Sequence, residues 1–148
     1  MNKKILLIIV LLVCVVAGFF IFNFAGAQNY VNVNNAEFMV PEGYQVIDQN
    51  YSVNLTKGDN FICIKKNISA NNIKDAINDY IKAKEDKNHT TNLSNFTVNN
   101  TLVYKVTVDG SHIVHYWFEK DGNIQELYTR TSEADTDKLI SDMITSMK

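Results

Sequence analysis

"LVYKVTVDGSHIVHYWFEKDGNIQELYTR", residues 102–130, decides the fold of this 148-residue chain. It holds three apolar runs: "LVYKVTV" at 102–108, "HIVHYWFE" at 112–119 and "IQELYTR" at 124–130. A period of two marks a strand in a sheet, because successive side chains point to opposite faces. Asp109-Gly110 and Asp121-Gly122 separate the runs. Asp-Gly accepts the left-handed dihedrals of a tight hairpin, so an antiparallel meander is expected. On the middle run Ile113, His115, Trp117 and Glu119 share one face, and Val114, Tyr116 and Phe118 the other. Both faces are apolar, which predicts a central strand covered on both sides, or by helices on one side and a partner on the other.

Upstream lies "NHTTNLSNFTVNNT", residues 88–101, with five asparagines and five hydroxyl residues. Phe96 and Val98 alternate into a short strand and Asn99-Asn100 reads as its turn, which leaves 86–94 as a loop. Before it, Ile73, Ala76, Ile77, Tyr80 and Ile81 form one apolar stripe at helical spacing. Asn71 or Asn72 can cap this helix, and it should end near Lys84 to Lys87, where lysines suit the negative end of the dipole. Nearer the N-terminus, "AEFMVPEGYQVI" (36–47) reads as strand, turn, strand, and "YSVNLTK" (51–57) forms a hairpin with "FICIKK" (61–66). A last helix is expected from near Ser132, where Ser132 and Asp135 resemble a capping box, with Leu139, Ile140, Met143, Ile144 and Met147 as its buried stripe. The fold class is therefore α+β: an antiparallel sheet of about six or seven strands with two packed helices.

The N-terminal residues are of another kind. Ile5 to Phe22, "ILLIIVLLVCVVAGFFIF", is an unbroken apolar run after Lys3 and Lys4. As a helix it spans roughly 27 Å, close to a bilayer core, and the lysines favour a cytoplasmic N-terminus. Residues 1–27 are thus expected as a transmembrane anchor, 28–35 as a linker and 36–148 as a domain outside the cytoplasm. The alternative is secretion after cleavage at Ala25-Gly26-Ala27, which would leave Gln28 as the mature N-terminus. Lipoprotein processing at Cys14 is excluded, because Val13 is not small and the apolar run continues past the cysteine. A pilin would share this layout, but the glutamate early in its helix is absent.

Residues 28–148 carry all 16 acids and 12 of the 14 basic residues, which are scattered rather than arranged in a stripe. That excludes a nucleic-acid partner. Cys63 alone lies outside the apolar run, so no disulfide framework is possible, and "FICIKK" places it in the core. No phosphate loop, zinc helix, paired-cysteine site or nucleophile elbow is present, and no cofactor, metal site or catalytic residue is assigned. His115 is a core or rim histidine if helices cover its face, and otherwise joins an exposed aromatic patch. His115, Tyr116, Trp117 and Tyr128 on the meander are the candidate contact residues. Glu119 and Glu126 read as solvated charges.

Asn-x-Ser/Thr acceptor sites occur at Asn50, Asn54, Asn67, Asn88, Asn92, Asn95 and Asn99. With 19 asparagines and 17 Ser plus Thr, about two would arise by chance. Such sites carry glycan only outside the cytoplasm, in agreement with the N-terminal run.

Phe38, Pro41, Gly43 and Tyr44 form an "F-x-x-P-x-G-aromatic" strand and turn. On this motif the domain resembles the PsbP-like α/β/α sandwich, and with its N-terminal apolar run it also looks like small envelope proteins of methanogenic archaea. The resemblance implies an accessory, non-catalytic protein, and no metal-binding residue of that group can be matched. The expected function is a membrane-anchored binding or accessory module of the cell envelope, with an envelope protein or glycan as partner. The alternatives are an extracytoplasmic hydrolase whose site the spacing hides, and a glycosylated coat element.

Overall fold

The computed structural model describes residues 29–130 and 135–148. The expected membrane segment at 5–22, the cleavage site at 25–27 and Ser132 lie outside the described residues. No described helix is long and apolar enough to cross a membrane.

The described residues form nine strands and two helices in the order β1 (Tyr30–Val33), β2 (Ala36–Met39), β3 (Gln45–Asp48), β4 (Ser52–Lys57), β5 (Asn60–Lys65), α1 (Ile73–Glu85), β6 (Thr91–Val98), β7 (Thr101–Val108), β8 (Val114–Lys120), β9 (Asn123–Arg130) and α2 (Thr136–Thr145). β1 and β2 form a two-stranded sheet. The other seven form one antiparallel sheet in the order β3-β4-β5-β9-β8-β7-β6. The α+β class, the sheet of seven strands and the two helices agree with the sequence. Residues 28–35, expected as a linker, instead contain β1 and its turn.

Asparagine builds several of the tight turns. Asn34-Asn35 and Asn99-Asn100 link paired strands with φ of 52° and 63°, and 45° and 66°. Two successive left-handed residues give the hairpin turn whose twist matches the strands, and asparagine tolerates that region better than most residues. Asp121-Gly122 does the same between β8 and β9. Asp109-Gly110 does not make the expected two-residue turn. Thr107 pairs with Val114, so six residues intervene, held by bonds from Ser111 N to Val108 O and from Ile113 N to the Ser111 hydroxyl.

The expected loop at 86–94 is also corrected. β6 begins at Thr91 and pairs with β7 over its whole length. Its polar residues hide an ordinary strand, because at the sheet edge they cost no burial.

The central sheet is covered on both faces. One face packs against α2 and the β1-β2 hairpin, with Phe38, Leu55, Ile62, Ile64, Tyr116, Phe118, Leu127, Ile140 and Met143 buried among others. Each of the large apolar side chains contributes about 1.5–3 kcal/mol by leaving water. Asp135 caps α2 by accepting from Lys138 N. The next carboxylate, Asp137, accepts from the Tyr116 hydroxyl at 2.7 Å and from Lys105 Nζ at 2.8 Å, pinning the helix to the sheet. Burial pushes the Asp137 carboxyl up, but these two donors outweigh it and hold it below the usual carboxylate range. The chain end is tied in by reciprocal backbone bonds between Lys148 and Glu37.

The opposite face carries α1. Ile77, Val106 and Trp117 are buried there, flanked by half-buried Ile73, Ala76, Tyr80, Ile81, Tyr104 and Ile124. The stripe and the Asn72 cap agree with the sequence: the Asn72 side chain accepts from Asp75 N. Cys63 is buried, as expected.

Candidate functional site

Strand pairing brings a polar group onto the α1 face. The two-residue turn at Asp121-Gly122 places Trp117 opposite Glu126 and His115 opposite Tyr128. β5 then lies on the other side of β9, with Cys63 opposite Tyr128. Lys65, two residues beyond Cys63, reaches Glu126 Oε2 at 3.0 Å. His115 Nδ1 lies 3.5 Å from Glu126 Oε1, an ion-pair distance too long for a good hydrogen bond. The geometry leaves His115 Nδ1 and Trp117 Nε1 buried without a hydrogen-bond partner among the described residues.

The electrostatics follow from burial. Desolvation lowers the His115 pKa, and Glu126 only partly offsets it. His115 is therefore neutral at neutral pH. Burial raises Glu126, but His115 and Lys65 outweigh it and bring the carboxyl below its usual value. The charged pair is thus Glu126 with Lys65. Burial and contact with Cys63 push the Tyr128 hydroxyl up to about 12, and burial beside Glu126 raises that of Tyr80. The His115 ring stacks on Tyr128 at 5.0 Å and Trp117 at 5.4 Å, and meets Tyr80 at 4.2 Å. A cleft of about 260 Å³ beside Tyr80 brings His115 together with Ser111, His89 and Lys84. Another, of about 250 Å³, opens on Lys65 and Glu126.

A larger cleft of about 660 Å³ lies where three loops converge. The β1-β2 hairpin brings Asn32, Asn34 and Asn35. The β5-α1 connection brings Asn67, Asn71 and Asn72, and the β8-β9 turn brings Asn123. Among the described residues, Lys66 and Glu119 are its ionisable lining residues, and Val33, Ile68, Ala70 and Ile124 supply apolar surface. The wall is held by amide bonds. Asn34 Nδ2 donates to Lys65 O at 2.8 Å, Asn34 Oδ1 accepts from Asn67 N at 3.1 Å, and Gln125 Nε2 donates to Asn34 O at 3.2 Å. Gln125 is fully buried, so this lattice fixes the hairpin against the sheet.

The four meander candidates are divided by the fold. His115, Trp117 and Tyr128 share the α1 face, while Tyr116 is buried on the other, under α2. Trp117 is 1% exposed, and His115 and Tyr128 are half-buried. An exposed patch of His115 and Trp117 is thus replaced by the covered arrangement. Glu126, read as a solvated charge, is buried at 5% exposure, whereas Glu119 is exposed. The register set by Asp121-Gly122 was the signal for Glu126. Nothing in the sequence announced Lys65, because β5 and β9 lie far apart along the chain. No group of three His, Cys, Asp or Glu residues among the described residues could hold a metal ion. Of the acceptor sites, Asn50, Asn67, Asn88, Asn92, Asn95 and Asn99 are exposed. Asn54 is half-buried and its Nδ2 donates to Gln49 Oε1 at 3.2 Å.

Neither a family model nor a curated protein matches the chain. Among solved structures, the solution structure of cyanobacterial PsbP (CyanoP) from Synechocystis sp. PCC 6803 is similar to it. The TM-score is 0.50 at 14% identity, over 83% of this chain and 94% of that one. The fold is PsbP-like. The motif that suggested it has a structural job here: Phe38 is buried in the core, and Tyr44 N donates to Pro41 O in the turn that carries the chain from the small sheet into the large one. Gly43, at φ 82°, lies where an added Cβ would come within 3.2 Å of Lys57 Cε.

Proposed function

We propose that the chain is a non-catalytic binding or accessory module of the cell envelope, anchored by residues 5–22 with its domain outside the cytoplasm, which holds its partner in the amide-lined cleft. The observation that carries this reading is the lining of that cleft: seven asparagines from three loops, with one lysine and one glutamate. Asn34 and Asn72 spend their amides on the fold and Asn123 Nδ2 donates to Asp121 O, but the side-chain amides of Asn32, Asn35, Asn67 and Asn71 can each donate and accept, so the wall suits a neutral partner rich in hydrogen-bonding groups. Its volume falls in the range of about 300–1,000 Å³ usual for ligand pockets. Tyr30 lies eight residues beyond Phe22. A connection of that length reaches at most about 28 Å, which keeps the domain close to the membrane surface. The PsbP-like resemblance, which implies accessory factors, points the same way.

Site-specific photo-cross-linking in intact source cells tests it. A cross-linker at position 71, in the cleft, should give a discrete adduct, and one at position 51, on the exposed β3-β4 turn, should not. Adducts from position 51 alone would remove the cleft from the proposal, and a protease-protected domain in intact cells would remove the outward orientation.

A second reading, an extracytoplasmic hydrolase, is favoured by one observation: His115 faces a buried carboxylate and shares a cleft with Ser111. It requires ester or amide hydrolysis that Ser111→Ala abolishes without unfolding the protein.

A further inference from the structure

The two edges of the large sheet are protected very differently. β3 is four residues long and ends at Asp48, which pairs with Lys66. Short edges and charges are the usual defence against strand addition. β6 is eight residues long, "TNLSNFTV", without a charge or a proline, and only β7 pairs with it among the described residues. Its side away from β7 is a long template for another strand, bare of those defences.

The same strand holds acceptor sites that turn geometry does not explain. Asn67, Asn88 and Asn99 have φ of 54°, 60° and 45°, where asparagine is favoured for its backbone alone. Asn92 and Asn95 sit inside β6, in extended backbone, where asparagine is depleted. Each has its hydroxyl partner, Ser94 or Thr97, two residues on, and both asparagines are exposed. They are three residues apart, so they project from opposite faces of the sheet. The pairing agrees: Asn92 lies opposite Thr107, and Asn95 opposite Tyr104. A strand added beside β6 would bring its side chains to within about 5.5 Å of theirs on both faces.

We infer that Asn92 and Asn95 carry N-linked oligosaccharide, and that the two glycans close the β6 edge against pairing with a second copy of the chain. In each transfer the side-chain amide nitrogen bonds to C1 of the first sugar of a lipid-pyrophosphate-linked donor. The bond from C1 to the phosphate oxygen breaks, the phosphate leaves with the electron pair, and the amide loses one proton. Asn54 stays bare in the folded protein, because its Nδ2 is held by Gln49. The inference rests on the outward orientation proposed above, and the experiment separates the two.

The full chain is purified from source cells and digested with trypsin, which releases residues 88–105 as one peptide. Sugar-specific mass increments localised to Asn92 and Asn95, with none on Asn54, are expected. Enzymatic removal of the glycan, or Asn92→Gln with Asn95→Gln, should then convert detergent-solubilised monomer into dimer and larger species by light scattering. A charged edge, Asn92→Lys with Asn95→Lys, should restore the monomer without sugar. Bare Asn92 and Asn95 in a chain whose Asn50 is glycosylated overturn the inference and leave the outward orientation standing. A chain with no glycan, protected from external protease, overturns both. Glycan on both residues whose removal leaves the monomer unchanged overturns the edge-closing role.

Discussion

Trp117 and Phe118 are neighbours on β8, almost fully buried, and point into opposite halves of the molecule. Phe118 enters an apolar layer closed by α2 and the β1-β2 hairpin. Trp117 enters a smaller layer under α1 in which aromatic rings sit against a histidine, a glutamate and a lysine. The first half holds the fold together, and its buried polar side chains, Gln125 and Thr129, are neutral and bonded to the backbone oxygens of Asn34 and Phe61. The second buries a carboxylate, Glu126, and opens into clefts on either side of Tyr80. One sheet thus separates the work of stability from that of carrying polar chemistry.

The largest effect should break the apolar half. Phe118→Ala should cost about 3–5 kcal/mol, since the cavity is walled by residues from two sheets and a helix and collapses poorly. Urea unfolding followed by the fluorescence of Trp117, the single tryptophan, measures it. Trp117→Ala should cost less, about 2–4 kcal/mol, followed by circular dichroism. Tyr80 and His115 can move into the space, and the change removes an indole N–H that has no partner among the described residues. Equal losses for the two variants would deny the contrast between the halves.

Glu126→Gln should come next, at about 1–2 kcal/mol, because Lys65 is half exposed and water screens its charge. Acid should show the same polar group at work. His115 has a folded pKa below its unfolded value of 6.5, so the unfolded chain takes up that proton first. Stability is therefore full above about pH 6.5 and falls as pH drops toward the lowered folded value. Glu126, also lowered, adds stability above its unfolded value of 4.5 that is lost as pH falls through the folded one. Both shifts make acid destabilising. His115→Gln should flatten the fall in Tm that begins below about pH 6.5 and leave the lower part of the curve in place. An unchanged upper part would assign it to another group.

Legibility along the chain follows the range of the interactions. The meander, both helical stripes and the Asn72 cap were readable because a period of two or of 3.6 is local. β6 was cut short because its polar residues look like loop when the edge position is unknown. β1 was missed because a four-residue strand with Asn32 at its third position has almost no period to read. The register across Asp121-Gly122 was readable in principle and pairs Trp117 with Glu126. The contact with Lys65 and the convergence of seven asparagines were not, because they depend on β5 lying beside β9 and on three distant loops meeting at one end.

The two helix caps give the smallest and most discriminating test. Asn72 caps α1 and Asp135 caps α2, each by accepting from the backbone N–H three residues on. Either change to alanine should cost about 1 kcal/mol of helix stability. The consequences should differ. α2 buries Ile140, Met143 and Ile144 in the main core, so it cannot open without the fold, and Asp135→Ala should lower Tm. α1 buries only Ile77 fully and stands over the polar half, so it can open alone. Asn72→Ala should speed hydrogen exchange across 76–85 about fivefold while leaving Tm and the exchange of β8 nearly unchanged. Exchange that accelerates in α1 and β8 together would mean that both helices belong to one cooperative unit, and that the division between the halves is chemical but not energetic.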